Sequence, residues 1–196
     1  MRIDFQPDDT LLEAELDTLH ARLQARARLA APPAQPLPRL PWLRLWRHEA
    51  DGEFYVYVED MRTGRLAGCT VFNRLVEVNR RLDPFVRSPH SRYRPAYRRL
   101  GLATRVYARE LDAGFCLVSG ARQSPGAHAL WHALAERYEF GYARLHGKRL
   151  ARMEPACVEE ERDGLHTRMV LCGKGWTLDR LLAQRRPLPR AAGDVN

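Results

Sequence analysis

The stretch Tyr97-Arg98-Arg99-Leu100-Gly101-Leu102-Ala103-Thr104 puts two arginines and a glycine at the mouth of what the sequence predicts as a helix. The first turn of a helix leaves four backbone N–H groups without intrahelical partners, and the aligned peptide dipoles add partial positive charge at the same end. An anion satisfies both. Gly101 lets the backbone approach a diphosphate, Ala103 keeps that surface low, and Arg98 and Arg99 bring full charges that suit phosphate oxygens. The spacing Arg-x-x-Gly-x-Ala therefore points to a nucleotide-type cofactor.

Working outward, a strand is needed to deliver the chain to this loop, and the sequence predicts it at Phe85 to Tyr93, with Pro89 marking an edge or a bulge. The helix after the loop is expected from about Leu102 to Ala113, ending at Gly114. Phe115-Cys116-Leu117-Val118 reads as a buried strand, Gly126 to Tyr138 as a second helix, and Phe140 to Leu145 and Thr167 to Cys172 as strands. Upstream, Arg2 to Phe5 is a strand candidate. Thr10-Leu11-Leu12-Glu13 is a capping box opening a helix that carries Leu12, Leu16, Leu19 and Leu23 at helical spacing to about Leu29. The five prolines of residues 32–41 read as a stiff connector. Glu53 to Glu59 and Leu66 to Phe72 form a hairpin across Met61-Arg62-Thr63-Gly64-Arg65. Trp176 to Arg185 is a short terminal helix, and a flexible tail follows.

The loop Arg98, Gly101, Ala103, preceded by Pro95-Ala96-Tyr97, resembles the acyl-CoA loop of the GNAT superfamily of N-acetyltransferases, and the order of elements from Arg2 to about Cys172 matches that family as well. The resemblance implies an α+β fold: a central mixed, mostly antiparallel sheet flanked by helices, as a single domain over residues 1–175 with a helix and tail over 176–196. It also implies acetyl-CoA as co-substrate and acetyl transfer to a primary amine of a small cationic molecule or a protein. Cofactor contacts are implied at Tyr93, Arg94, Arg98, Arg99, Leu100, Gly101, Leu102, Ala103 and Thr104. In the second family segment Ser124 stands where asparagine usually meets the pantetheine arm, and Trp131 stands where a tyrosine commonly reprotonates the CoA thiolate. An indole is no practical acid. His90 and Glu77 are the candidate general bases, the first for a pKa near neutrality, the second because carboxylates on adjacent family strands often serve so. The acidic segment Glu154, Glu159, Glu160, Glu161 and Asp163 falls on the acceptor side in the family arrangement.

The chain has 196 residues, 45% of them hydrophobic, enough for one well-cored domain. Its formal charge is +8, and nearly all the cations are arginine, with lysine only at Lys148 and Lys174. Eight arginines between Arg74 and Arg99, interleaved with Phe85, Tyr93 and Tyr97, give a competing reading as a nucleic-acid groove. Cys69, Cys116, Cys157 and Cys172 have neither zinc-site nor disulfide-framework spacing, which suggests a reduced cytoplasmic setting. His128 and His132 lie four apart, a metal-compatible spacing, but no third ligand is evident, and the sequence indicates no metal site. No stretch approaches a membrane span, and the sequence leaves homodimerisation open.

Overall fold

A computed structural model of the chain describes residues 1–4, 8–27, 35–154, 157–158 and 164–183. The backbone falls into two compact units. One comprises Gln6–Asn73 and Pro89–Val106; the other comprises Met1–Phe5, Arg74–Ser88 and Tyr107–Asn196. The nine described strands make a mixed, mostly antiparallel sheet, and four helices flank the strands.

The first unit holds α1 (Asp9–Ala27), β1 (Gln35–Leu37), β2 (Leu40–Ala50), β3 (Glu53–Asp60) and β4 (Arg65–Arg74). It also takes the last five residues of β5 (Val86–Tyr93), a 3-10 turn at Pro95–Tyr97 and the start of α2 (Leu102–Asp112). Strand order here is β1-β2-β3-β4-β5. β2 and β3 are joined by Asp51 and Gly52, both at positive φ (55° and 75°), and Ala50 pairs with Glu53. Two consecutive left-handed residues give the turn whose twist matches a hairpin. The core under α1 consists of Leu12, Leu16, Tyr57, Leu66 and Cys69, with Leu19, Leu23, Trp46 and Tyr55 packed against it. Each fully buried leucine there contributes about 1.5 to 3 kcal/mol.

The second unit holds the first three residues of β5, then β6 (Cys116–Val118), α3 (Pro125–Ala135), β7 (Phe140–His146), β8 (Arg149–Arg152), β9 (Thr167–Leu171) and α4 (Leu178–Leu182). Its strand order is β5-β6-β9-β7-β8. The β5–β6 pair is parallel and is confined to Val86↔Cys116 and Arg87↔Leu117, whereas β6–β9, β9–β7 and β7–β8 are antiparallel. Leu82, Val86, Cys116, Val118, Val170, Leu178 and Leu181 form its core, with Phe85 tilted against Trp176 at 5.1 Å between centroids.

Several expectations change. Arg2 to Phe5 is not a strand over its described residues, which contribute only an isolated bridge between Arg2 and Arg122. The cap of α1 is Asp8, whose Oδ1 accepts from the N–H groups of Thr10 and Leu11 at 2.9 and 3.1 Å, so the helix starts ahead of the Thr10 box. The C-terminal part of the proline-rich connector forms β1 and the opening of β2, and β2 extends far beyond the apolar Trp42–Trp46 run. β8 was not expected; it arises because Gly147 and Lys148, at φ 54° and 62°, turn β7 back on itself. The acidic residues Glu159, Glu160, Glu161 and Asp163 lie outside the described residues. No helix among the described residues is long and apolar enough to cross a membrane.

Candidate functional site

The chain leaves β5 at Tyr93, makes the short turn at Pro95–Tyr97, and enters α2 at Leu102. Between turn and helix, Arg99 (φ 60°) and Gly101 (φ 72°) both adopt the left-handed conformation, with Leu100 between them. The N–H of Arg98 is turned back to the Pro95 carbonyl at 3.2 Å, and the N–H of Arg105 to Gly101 at 3.1 Å. The six intervening amides, Arg99 to Thr104, have no hydrogen-bond partner among the described residues. Left-handed residues alternating with others aim successive N–H groups into one concavity, and the N-terminal end of α2 adds its dipole to it. Such a run of donors binds anions, and phosphate oxygens above all.

The surroundings hold this loop in place. The buried Arg94 donates its backbone N–H to Ala67 O at 3.0 Å and its Nε to Leu66 O at 2.8 Å, and its guanidinium meets Asp17 of α1. Tyr97 donates its hydroxyl to Asp60 Oδ2 at 3.0 Å. Asp60 is fully buried and also accepts from Arg62; that hydrogen-bonded guanidinium holds its carboxyl down at about 2, against the cost of burial. Arg98 donates Nε to the Tyr93 carbonyl at 3.1 Å and pairs with Asp9 at the start of α1. The Tyr93 hydroxyl is 3.0 Å from Thr70 Oγ1, which in turn is 2.8 Å from Ser91 Oγ. Gly68 is required beside Tyr93: a Cβ there would come within 2.4 Å of Arg92 O and of the tyrosine ring.

The two arginines of the motif therefore differ. Arg98 is engaged by Tyr93 and Asp9, whereas Arg99 is exposed and has no partner among the described residues. Leu100 is 40% exposed at the crest of the loop. Arg94 departs from expectation, because its amide is committed to Ala67 and its side chain to Leu66 and Asp17; it holds the loop rather than offering a donor to a cofactor.

His90 lies on β5, as expected. Arg92 Nε donates to its Nε2 at 3.1 Å and Arg92 Nη1 donates to Glu15 at 2.7 Å. A guanidinium N–H only donates, so Nε2 is the acceptor and neutral His90 carries its proton on Nδ1. Crowding by the surrounding protein, reinforced by the Arg92 charge and opposed by Glu15, holds His90 below the usual histidine range. The ring is neutral at pH 7, but its one basic nitrogen is already occupied.

The remaining candidates belong to the other unit. Glu77 sits not on a strand but in the turns between β4 and β5, exposed, with Arg168 of β9 4.0 Å away. Ser124 is the N-cap of α3, its Oγ accepting from the Ala127 N–H at 3.2 Å. Trp131 is 2% exposed and meets Tyr107 edge to face at 6.4 Å, a core position. The anchors Asp9, Asp17, Asp60 and Ala67 were missed by sequence reasoning. No local pattern ties Asp17 to Arg94 or Asp60 to Tyr97 across 77 and 37 residues.

Within the arginine run five of the eight side chains are engaged, and Arg80, Arg81 and Arg99 are exposed. Arg74 pairs with Asp83, Arg92 with Glu15, Arg94 with Asp17 and Arg98 with Asp9, while the buried Arg87 donates to the carbonyls of Asp83 and Val86.

No family model matches the chain, and no curated protein matches it. Among solved structures it is similar to a GNAT superfamily phosphinothricin acetyltransferase from Sinorhizobium meliloti in complex with AcCoA, at 20% identity over 73% of this chain and 70% of that one, with a TM-score of 0.41. It is also similar to the ribosomal-protein-S5-alanine acetyltransferase from Vibrio fischeri (12% identity, 78% and 85% covered, TM-score 0.38) and to a spermidine N-acetyltransferase mutant from Vibrio cholerae (16%, 68% and 69%, TM-score 0.35). TM-scores this low carry no weight for function, which rests on the chain's own loop.

Proposed function

We propose that this chain is an acetyl-CoA-dependent N-acetyltransferase of the GNAT type, acting on a primary amine of a small cationic molecule or a protein. The observation that carries the reading is the run of six amides from Arg99 to Thr104, without a partner among the described residues, shaped by two left-handed residues and opening a helix beside the exposed Arg99. These donors fit a diphosphate. The amides, with the guanidinium of Arg99, would hold it, and the exposed Leu100 would lie at the edge of the same surface. Arg94, Tyr97 and Arg98 keep the concavity open through Asp17, Asp60 and Asp9, so the donors need little reorganisation on binding.

Bound acetyl-CoA supplies an activated thioester: the amine nitrogen takes the acetyl carbon as the C–S bond breaks, the nitrogen loses a proton and the sulfur gains one. This chain's residues offer limited help with either proton. His90 accepts from Arg92 through its only basic nitrogen, and Glu77 is an exposed partner of Arg168, so water is the base that best suits this reading. Trp131 has no acidic proton to give, and solvent is left to protonate the sulfur. An acyl-CoA-binding protein without turnover is the second reading, favoured by the burial of Trp131 where the family tyrosine would stand.

The test has two parts. Calorimetric titration with CoA should give a defined site whose affinity falls in Arg99→Ala; absence of binding would remove both readings. Mass spectrometry after incubation with isotopically labelled acetyl-CoA and a pool of polyamines, aminosugars, peptides and cell extract should show a labelled acetamide. Tight CoA binding with no labelled product would select the second reading. Salt-steep affinity for RNA or DNA without CoA binding would return the arginine run to nucleic acid.

A further inference from the structure

Cys116 opens β6, and Cys172 follows the last residue of β9. Leu117 pairs with Leu171 and Val118 with Val170, so one more antiparallel step sets Cys116 opposite Cys172. The register holds past the strand ends, where a Cβ on Gly173 would come within 2.2 Å of Phe115 O. The Cys116 N–H goes to Phe85 O at 2.8 Å, on the β5 side, and the Cys172 N–H to Glu139 O at 2.9 Å, on the β7 side. Neither amide points between the two chains, which makes the cysteines a non-hydrogen-bonded pair. Such pairs bring their Cα atoms to about 4.5 Å, with side chains closest together. A disulfide spans Cα separations of about 4.4 to 6.8 Å. The side chains do meet: the two thiols share a hydrogen bond, which with burial pushes the Cys172 thiol up.

We propose that Cys116 and Cys172 are a reversible cross-strand disulfide site, oxidised by low-molecular-weight disulfides. Both are free thiols packed among Val86, Val118, Val170 and Trp176. Cys172 also borders a surface cavity of about 270 Å³, lined besides by Arg137, Glu139 and Lys174, whereas Cys116 does not. That fixes the order of events. Cys172 gives up its proton and its sulfur attacks one sulfur of the incoming disulfide, releasing the first small thiol. Cys116 then loses its proton and attacks the Cys172 sulfur, releasing the second. Two protein S–H bonds become one S–S bond, and the oxidant leaves as two thiols carrying both protons and both electrons. The raised thiol makes the first attack slow, and excess small thiol drives the sequence backwards. The bond would cross-link β6 to β9 at the end of their short ladder. This site is independent of the acetyl-CoA reading, and its test uses no activity measurement.

The experiment uses the full chain with Cys157→Ser, which removes an exposed thiol. The folded, reduced protein is incubated with hydroxyethyl disulfide, trapped with N-ethylmaleimide in denaturing acid, digested with trypsin and mapped by mass spectrometry. Cleavage after Arg109, Arg122, Arg168 and Lys174 releases the two cysteines on separate peptides, 110–122 and 169–174. The expected product is these peptides joined, about 2 Da lighter than their sum and separated again by dithiothreitol. Cys116→Ala should stop at the mixed disulfide on Cys172, and Cys172→Ala should leave Cys116 a free thiol. Recovery of both cysteines as free thiols, a mixed disulfide stalled on Cys172 when Cys116 is present, or a link from either to Cys69 overturns the proposal. The map of the chain with both cysteines decides the matter even if an alanine variant fails to fold.

Discussion

Gly101→Ala and Gly101→Glu separate backbone strain from charge at the centre of the amide run. Gly101 sits at φ +72°, and a Cβ placed on it meets nothing within 4 Å. Alanine there brings left-handed strain alone, a loss of about 1 to 2 kcal/mol in folding stability. Glutamate brings the same strain and a full negative charge beside the donors. With a doubly charged diphosphate about 6 Å from that carboxylate and an effective dielectric near 40, the repulsion is about 2 to 3 kcal/mol, roughly a 50-fold loss in CoA affinity. Urea denaturation should show the two variants destabilised alike, while calorimetry with CoA at low ionic strength should show Gly101→Glu binding far more weakly than Gly101→Ala. The gap should narrow as salt is raised. Equal CoA affinity in the two folded variants would refute the placement of the diphosphate over these amides.

Arg99→Ala should lower CoA affinity by about 1.5 to 3 kcal/mol with the melting temperature unchanged, whereas Arg98→Ala should move the melting temperature, because Arg98 ties Tyr93 to Asp9; calorimetry and thermal unfolding distinguish them. Asp60→Asn should remove up to about 2 kcal/mol of stability at pH 7. In the parent chain that contribution is present above the ordinary aspartate range near 3.8 and lost as pH falls through about 2, so acid unfolding curves of the two should converge at low pH. His90 is held below its ordinary value, so the unfolded chain binds its proton first and stability falls as pH drops through about 6.5. His90→Gln should flatten the stability profile in that window and leave the pH dependence of acetyl transfer unchanged; a changed rate profile would restore His90 as a base. Trp131→Ala should lose about 3 to 5 kcal/mol by chemical denaturation, and Trp131→Tyr should keep or raise turnover; an alanine variant as stable as the parent would deny the tryptophan its core role.

What the sequence made legible was local. The hairpin β3–β4, the strand β5 and helices α2 and α3 were all found because apolar periodicity and turn residues specify them within a dozen positions. The hairpin turns at Asp51-Gly52 and Gly147-Lys148 carry a local signal in their need for positive φ, but it went unread, so β8 and the full length of β2 were missed. What could not be read were the ties between distant residues. The motif suggested that Arg98 and Arg99 act alike, with Arg94 offering its backbone to the cofactor. Only the folded backbone brings Asp17 to Arg94 and Asp9 to Arg98, leaving Arg99 without a partner among the described residues. The same holds for His90, whose neutral charge state suits a base while its contact with Arg92 removes the lone pair a base needs.

The division among the three loop arginines explains how six donors can stand unpaired among the described residues without collapsing into a longer helix or onto one another. An unpaired amide is tolerable while water reaches it, but a flexible loop would turn it inward to a carbonyl. Here the upstream end is fixed by Arg94 on Leu66 and Ala67, the middle by Tyr97 on the buried Asp60, and the shoulder by Arg98 on the Tyr93 carbonyl. Downstream, Arg105 Nη1 donates to Pro38 O at 2.9 Å. With both flanks held by contacts that an incoming anion need not displace, the alternating left-handed positions Arg99 and Gly101 are over-determined, and their strain is sustained by the frame around them. The geometry of the loop is therefore a property of α1 and of β3 and β4 as much as of the motif: the carboxylates of Asp9, Asp17 and Asp60 restrain Arg98, Arg94 and Tyr97, while Arg99 is exposed.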